Sequence, residues 1–398
     1  MHDVDAVHRD IPLAEARTQL KALIDPLERT RTVSLDAATG HVLATPVAAA
    51  ADVPHYPKAA MDGFAVRATD TNPAPATLTR TTDTVDPGTT VSVHTGSELP
   101  DGADAIVRRE RVTVAEDTVT VTDAVAVGAD IAPVGEDVTA GQPLYEAGHR
   151  LRPADRGLLA ATGHTTVTVT PPPTVAIHPT GDELVDTDPD PGEAIETNAG
   201  TLTDLTTDWG GGPRRHGVVP DDPDAIRAAV TDATDAHLIV TIGGSSVGTR
   251  DHVPDVVADV GDLLVHGLTI KPGHPVGLGR LAETPVLLVP GYPVSSIIAA
   301  TQLLRPAINW LLGTDPPSVP TTEASLADPI DSDEGTRRFS RVHLESDGDT
   351  PTAVPTDHSG AGVLSSVALT DGWVVVPEST GRVVAGSTVT VQDWEYHP

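Results

Sequence analysis

The sequence predicts a multidomain protein of mixed α/β and β architecture. It expects a central α/β domain with a parallel-type sheet, an all-β insert, a small linking α+β region and a C-terminal β-barrel. Between residues 174 and 312 short apolar runs alternate with helical patterns, as repeated βα units do. On both sides of that stretch, Val, Thr and Ile runs are punctuated by Pro, Gly and Asp, the mark of short strands in all-β regions. Pro171-Pro172-Pro173 supplies a stiff connector where the first β region meets the alternating one. At 398 residues the chain exceeds what one core usually organises, so several compact units are expected.

The boundaries follow from these changes of pattern. Residues 1–45 and 143–173 form a helical linking region, 46–142 the β insert, 174–315 the α/β domain and 316–398 the barrel. Leu13, Ala16, Leu20, Leu23, Ile24 and Leu27 fall at helical spacing, so an amphipathic helix is expected over 12–29, with Pro26 in its last turn. The insert offers strands at 91–93, 105–107, 112–114 and 119–121. A short helix over Pro153 to Ala161 and a Thr-Val-Thr-Val-Thr strand lead to the prolines. In the central region, strands are expected at 174–178, 238–242 and 286–289, and helices at 198–208, 251–259 and 294–312. A further helix opens with Asp222 as cap and Pro223 as first residue. The tail offers strands at 339–344, 373–376 and 388–391, enough for a small barrel.

Composition excludes several functions. With 57 Asp and Glu against 25 Lys and Arg, the formal net charge is −32, which disfavours nucleic acid and anionic membranes as partners. Lysine occurs only at positions 21, 58 and 271. So many short carboxylates and so few lysines read as adaptation to a high-salt cytoplasm, and most acids are therefore solvated surface. No run approaches the ~18 apolar residues of a membrane helix, and the acidic N-terminus lacks a signal core, so a cytoplasmic location is expected. Without cysteine, any metal must be held by oxygen or imidazole.

The chemistry concentrates where strands end. In open α/β sheets ligands bind beyond the carboxyl ends of the strands, and three unusual loops stand there. These are Thr180-Gly181-Asp182-Glu183, Gly243-Gly244-Ser245-Ser246-Val247-Gly248 running on to Asp251, and Pro290-Gly291-Tyr292-Pro293-Val294-Ser295. The Gly-Gly-Ser-Ser turn presents backbone N–H groups and hydroxyls, which suit a phosphate. Lys271, in Lys271-Pro272-Gly273-His274, is a compact cationic donor for an oxyanion such as phosphate or molybdate, and His274 is a second donor beside it. Asp62, in Ala60-Met61-Asp62-Gly63-Phe64-Ala65, and Thr95-Gly96 place an acid and a hydroxyl on turns of the insert.

Taken in order, these motifs resemble the MoeA and gephyrin E-domain family of molybdopterin molybdenumtransferases. Leu99-Pro-Asp-Gly-Ala-Asp-Ala-Ile-Val107 and Gly135-Glu136-Asp137 add to the match, which runs from about residue 10 to 390. The resemblance implies an elongated homodimer in which the α/β domain of one protomer faces the β insert of the other. It implies insertion of molybdate into adenylylated molybdopterin with release of AMP, Mg²⁺ as helper, and an upstream molybdopterin adenylyltransferase as partner. Asp62, Thr95, Glu183, Asp222, Asp251 and Lys271 would be catalytic, with Asp62, Glu183, Asp222 and Asp251 as metal ligands. Gly243, Gly244, Ser245, Ser246, Gly248, Pro293 and Ser295 would bind the pterin, with His274, Ser365 and Ser366 near the molybdate.

Two departures stand out: His274 where the family often has a second lysine, and Val134 where it often has an arginine. Arg338 and Arg341 in the tail are the candidate replacements. Imidazole titrates near neutrality, so the first departure bears on the pH dependence of oxyanion binding. A pterin-binding carrier without turnover and a tungstate-inserting paralogue are the alternative functions. The full set of acids argues against the carrier, which needs the phosphate loop but no metal ligands.

Overall fold

The structure, a computed structural model, describes residues 8–244, 252–346, 350–356 and 360–396. Its centre is a seven-stranded sheet. Strands Thr284–Val289, Leu238–Ile242, Thr174–Pro179 and Gly212–Arg215 lie side by side and parallel. Their Val, Ile and Leu residues are buried on both faces, as parallel strands require. One face carries Val175, Ile177, Val240 and Leu287 against the helices Leu13–Ala22, Asn198–Asp208 and Pro293–Ala299. The other carries Ala176, Ile239 and Leu288 against Pro223–Asp232 and Val253–Val260.

The parallel core is extended in a way that the βα pattern does not announce. Strand Gly277–Leu281 returns antiparallel to Thr284–Val289 through a tight turn in which Ala282 takes a φ of 51°. Strand Asp262–Leu268 runs antiparallel to it, and His8–Ile11 closes that edge in parallel. The sheet is therefore mixed, and the N-terminal segment is part of it.

Two helices differ from the expected spans for reasons that involve proline. The first ends at Ala22 rather than near 29. Pro26 has no N–H for the Ala22 carbonyl and its ring crowds that turn, while Asp25 before it is steered towards extended backbone. The expected helix over 294–312 is Pro293–Ala299 and Arg305–Leu311 joined by a wide π-turn, Ala300–Leu304. Pro306 removes the N–H that the carbonyl of residue 302 would have used, and the wider turn accommodates the gap.

The insert forms a six-stranded sheet in which Gly63–Val66 lies between Ala105–Arg108 and Thr89–Val93. In the tail, Arg337–Glu345, Thr352–Pro355, Thr321–Leu326, Thr388–Gln392 and Gly372–Val376 pair in a ring, closed by the ladder between the first and last. This five-stranded barrel touches the central region through Ile270–Lys271, which pairs in parallel with Arg337–Arg338. Among the described residues no helix is long and apolar enough to cross a membrane.

Candidate functional site

The carboxyl ends of three parallel strands meet in backbone-to-backbone contact. The Thr180 N–H donates to the Ile242 carbonyl at 2.8 Å, and the Gly243 N–H to the Val289 carbonyl at 2.9 Å. Gly243 has φ +99°, and a Cβ there would lie 2.4 Å from the Thr180 carbonyl oxygen. Gly244 has φ +57°, and its Cβ would come within 2.9 Å of a Val253 methyl. At Gly243 a side chain would have to displace backbone, whereas at Gly244 the obstacles are the Val253 and Thr180 side chains together with the left-handed φ that favours glycine. On the far side a Cβ on Gly291 would meet the Gly243 Cα at 3.3 Å, and the Asn198 amide donates to the Gly291 carbonyl at 2.7 Å. Ser245, Ser246, Gly248 and Asp251, the remainder of that sequence motif, lie outside the described residues.

Beneath this rim sits an imidazole pair. His178, 2 % exposed, stacks on His216 with ring centroids 4.1 Å apart. Neither of its ring nitrogens has a hydrogen-bond partner among the described residues. Burial first, and the neighbouring His216 second, push its pKa down to about 4. It is held neutral because the charged form would be desolvated without compensation.

The acids fall into two groups. Glu183 is exposed on the Thr180 loop and its carboxylate folds back over Gly181. Asp222 accepts from the N–H groups of Asp224 and Ala225 at 3.1 and 2.9 Å, so it caps the helix that follows. The two loops are tied together by their other acids: the Asp182 N–H donates to Asp221 and the Asp221 N–H to Asp182. Asp62 stands in the insert. Its Oδ1 accepts from the Thr95 N–H at 2.7 Å and the Thr95 hydroxyl at 2.9 Å. These two bonds, the backbone one first, hold the Asp62 carboxyl below the usual carboxylate range, with His94 and Arg109 adding to the effect. The structure thus joins Asp62 to Thr95, 33 residues apart in sequence. Among the described residues no hydrogen bond or ion pair links the insert to the central sheet, and no set of acids and histidines is clustered to hold a metal ion.

Lys271 occupies the seam with the barrel. Its ammonium lies 2.9 Å from Asp333, and both side chains are exposed. Across the ladder it faces Arg338, which is half-buried, whereas Arg341 is 4 % exposed. Arg338 is therefore the tail arginine whose position matches Lys271. His274 turns to Asp10, 2.8 Å from its carboxylate. Val134 is exposed on the insert. Pro293 opens its helix half-buried, Ser295 is buried, and the Val294 N–H donates to Ala361 of the barrel. Ser365 is exposed nearby, and the buried Ser366 hydroxyl donates to the Val363 carbonyl at 2.7 Å.

Sequence reasoning passed over Asn198 and Glu196. The Glu196 carboxylate, 1 % exposed, accepts from the Ala199 N–H at the helix start and from Arg215. The signal was an acid two residues before the helical run that begins at Asn198, close enough to accept from a first-turn N–H.

This arrangement, a glycine-crowded rim on a central sheet flanked by a β insert and a terminal barrel, defines a multidomain protein with a candidate ligand site at the carboxyl ends of its parallel strands. Three family profiles cover most of the chain: "MoeA N-terminal region (domain I and II)" over residues 11–163, "Probable molybdopterin binding domain" over 176–310 and "MoeA C-terminal region (domain IV)" over 323–394. The chain belongs to the MoeA family, the molybdopterin molybdenumtransferases. It is 33% identical to molybdopterin molybdenumtransferase 2 of Mycobacterium tuberculosis over 92% of this chain and 95% of that one. It is 30% identical to the molybdopterin molybdenumtransferase of Nostoc over 73% and 71%. A solved molybdopterin biosynthesis moeA protein of Pyrococcus horikoshii superposes with a TM-score of 0.84 at 30% identity, covering 96% of this chain and all of that one.

Proposed function

We propose that the chain acts on molybdate and adenylylated molybdopterin: the two dithiolene sulfurs replace oxo groups of molybdate, which leave as water, and water cleaves the phosphoanhydride bond so that AMP departs and the pterin keeps its own phosphate. The observation that carries this reading is the convergence of Thr180, Gly243 and Gly291 at the parallel strand ends, with a lysine and an arginine paired at the adjoining barrel seam. The turn from Gly243 through Ser246 would hold the pterin phosphate on N–H and hydroxyl donors. Lys271 and Arg338 would draw in the molybdate dianion, since an ammonium and a guanidinium both suit tetrahedral oxyanions.

Mg²⁺ fits the donor chemistry, because every candidate ligand is a carboxylate and the chain has no thiol. Glu183, Asp222 and Asp251 would hold it together with Asp62 of a second copy. When bound, the ion neutralises charge developing on the phosphates. Asp62 would enter from a second copy, in the homodimer that the family resemblance implies, where the insert of one protomer faces the α/β domain of the other. Thr95 keeps the Asp62 carboxylate ionised and aimed. An upstream adenylyltransferase would supply the activated pterin.

Mixing two inactive variants tests both the reaction and the shared site. Asp62→Asn and Glu183→Gln are each expected to lower AMP release by about 100-fold. Co-refolded in equal amounts, they should recover about a quarter of wild-type activity, because mixed two-fold dimers carry one intact site. Mixed dimers that form without recovery would place the site within a single chain. Binding of adenylylated pterin without any AMP release by the wild type would reduce the protein to a carrier.

A further inference from the structure

Away from that rim, a cavity of about 320 Å³ lies where the first helix, the helix Arg305–Leu311 and the barrel come together. Its lining joins Arg17, Arg305 and Arg337 to Trp310, Trp373 and Trp394. Three guanidinium groups in one cavity are unexpected in a chain of net charge −32. Arg337 is neutralised by Glu378, 3.1 Å away. Among the described residues Arg17 donates only to the backbone and side-chain carbonyls of Gln302. Arg305 is 3 % exposed, and its Nε and one terminal nitrogen have no partner among the described residues. Neither Arg17 nor Arg305 has a carboxylate within ion-pairing distance among the described residues.

We propose that this cavity binds a small planar aromatic oxyanion, a ring bearing a phosphate or carboxylate. Arg17 and Arg305 supply the fork geometry that oxyanions accept. Tyr396 and Asp393 act favourably on Arg305 from beyond ion-pairing distance, yet two of its guanidinium nitrogens have no hydrogen-bond partner among the described residues. The tryptophans supply aromatic surface: Trp373 and Trp394 are buried and stack on each other at 18° with centroids 5.4 Å apart, so a bound ring would meet an edge or an outer face of that pair. Trp310 is half-exposed, with the Lys21 ammonium 5.3 Å from its ring centroid. The volume falls at the lower end of small-molecule pockets, so it takes one ring and its anion but not a peptide. Burial pushes the Arg17 and Arg305 pKa values down, so each guanidinium is held at a desolvation cost that an anion would offset. Because the cavity is walled by both the central helices and the barrel, an occupant would tighten the docking of the barrel, whose strand also carries Arg338.

Three of the four tryptophans line the cavity, so intrinsic fluorescence reads it directly in the full-length protein. Phenyl phosphate is expected to change the emission saturably and to raise the melting temperature, whereas uncharged phenol should do neither. Binding should weaken with added salt. Arg17→Gln and Arg305→Met should each weaken phenyl phosphate binding by about tenfold or more. Arg17 is only half-buried, so its variant keeps the test open if Arg305→Met does not fold. Equal response to phenol, or unchanged affinity in Arg17→Gln, would overturn the assignment. Inorganic phosphate binding as tightly as phenyl phosphate would remove the aromatic half of it.

Discussion

The strand-end rim and the barrel seam both carry candidate site residues, but they are built from opposite physics. At the rim the geometry is set by hard contact: Gly243 leaves no space for a Cβ against the Thr180 carbonyl, and the buried His178 lies beneath. At the seam it is set by charge: Lys271 meets Asp333 in solvent, and Arg338 stands opposite. Contact forces are short-ranged and indifferent to salt, whereas exposed charge pairs are weak and screened. The rim should therefore fail through sterics and protonation, and the seam through ionic strength.

The largest effect is expected from Gly243→Ala. A methyl 2.4 Å from a carbonyl oxygen, at φ +99°, must displace the Thr180 loop or the Gly243-Gly244 segment proposed to begin a phosphate site. The cost is roughly 2–4 kcal/mol, read as a shift in denaturation midpoint, with loss of AMP release even where the chain still folds. Gly40 also has positive φ but nothing within 4 Å of its Cβ, so Gly40→Ala should cost about 1 kcal/mol. Equal losses in the two variants would show that backbone conformation, and not crowding at the rim, is what matters.

Protonation probes the same region more gently. His178 has a pKa pushed down to about 4 in the fold, against about 6.5 when unfolded. The unfolded chain therefore binds the extra proton between those values, and stability present above pH 6.5 is lost as pH falls towards 4. The shift corresponds to about 3 kcal/mol at most. Denaturation midpoints measured from pH 7.5 to 4 should fall less steeply in His178→Gln than in the wild type. Parallel curves for the two proteins would mean that the buried imidazole is not the group being protonated.

The same contrast explains what was legible in the sequence. Rim motifs were readable because each reflects a local rule: Gly-Gly after a buried strand, Pro-Gly after another, Asp222-Pro223 at a helix start. Helix Asn198–Asp208 and the barrel strands were equally visible as periodic patterns. The hairpin Gly277–Leu281 to Thr284–Val289 was not, because an apolar strand buried on both faces reads the same whether its neighbour is parallel or antiparallel. Nor was the helix break at 300–304, where Pro306 acts on a carbonyl four residues earlier. The Asp182 and Asp221 exchange and the pairing of Lys271 with Arg338 are tertiary facts. No spacing along the chain encodes which loop or strand lies across from which. His274 shows the reverse case: its proximity to Lys271 in sequence marked it as a second oxyanion donor, but its imidazole meets Asp10 from the opposite end of the chain.

The smallest stability effects are expected at the seam, where function and stability should separate. Lys271→Gln removes an exposed ion pair, and such pairs contribute about 0–1 kcal/mol, so the denaturation midpoint should barely move. The molybdate KM should nonetheless rise by about tenfold, the loss of one charge-assisted bond to a dianion. Asp333→Asn makes the sharper comparison. It frees the same ammonium without removing it, so stability again stays near wild type while the molybdate KM stays level or falls. Raising salt should increase KM in the wild type and in Asp333→Asn, but much less in Lys271→Gln, where the screened charge is already gone. If Lys271→Gln instead lowers kcat at unchanged KM and unchanged salt dependence, the lysine does not gather the oxyanion, and Arg338 across the ladder becomes the residue to test next.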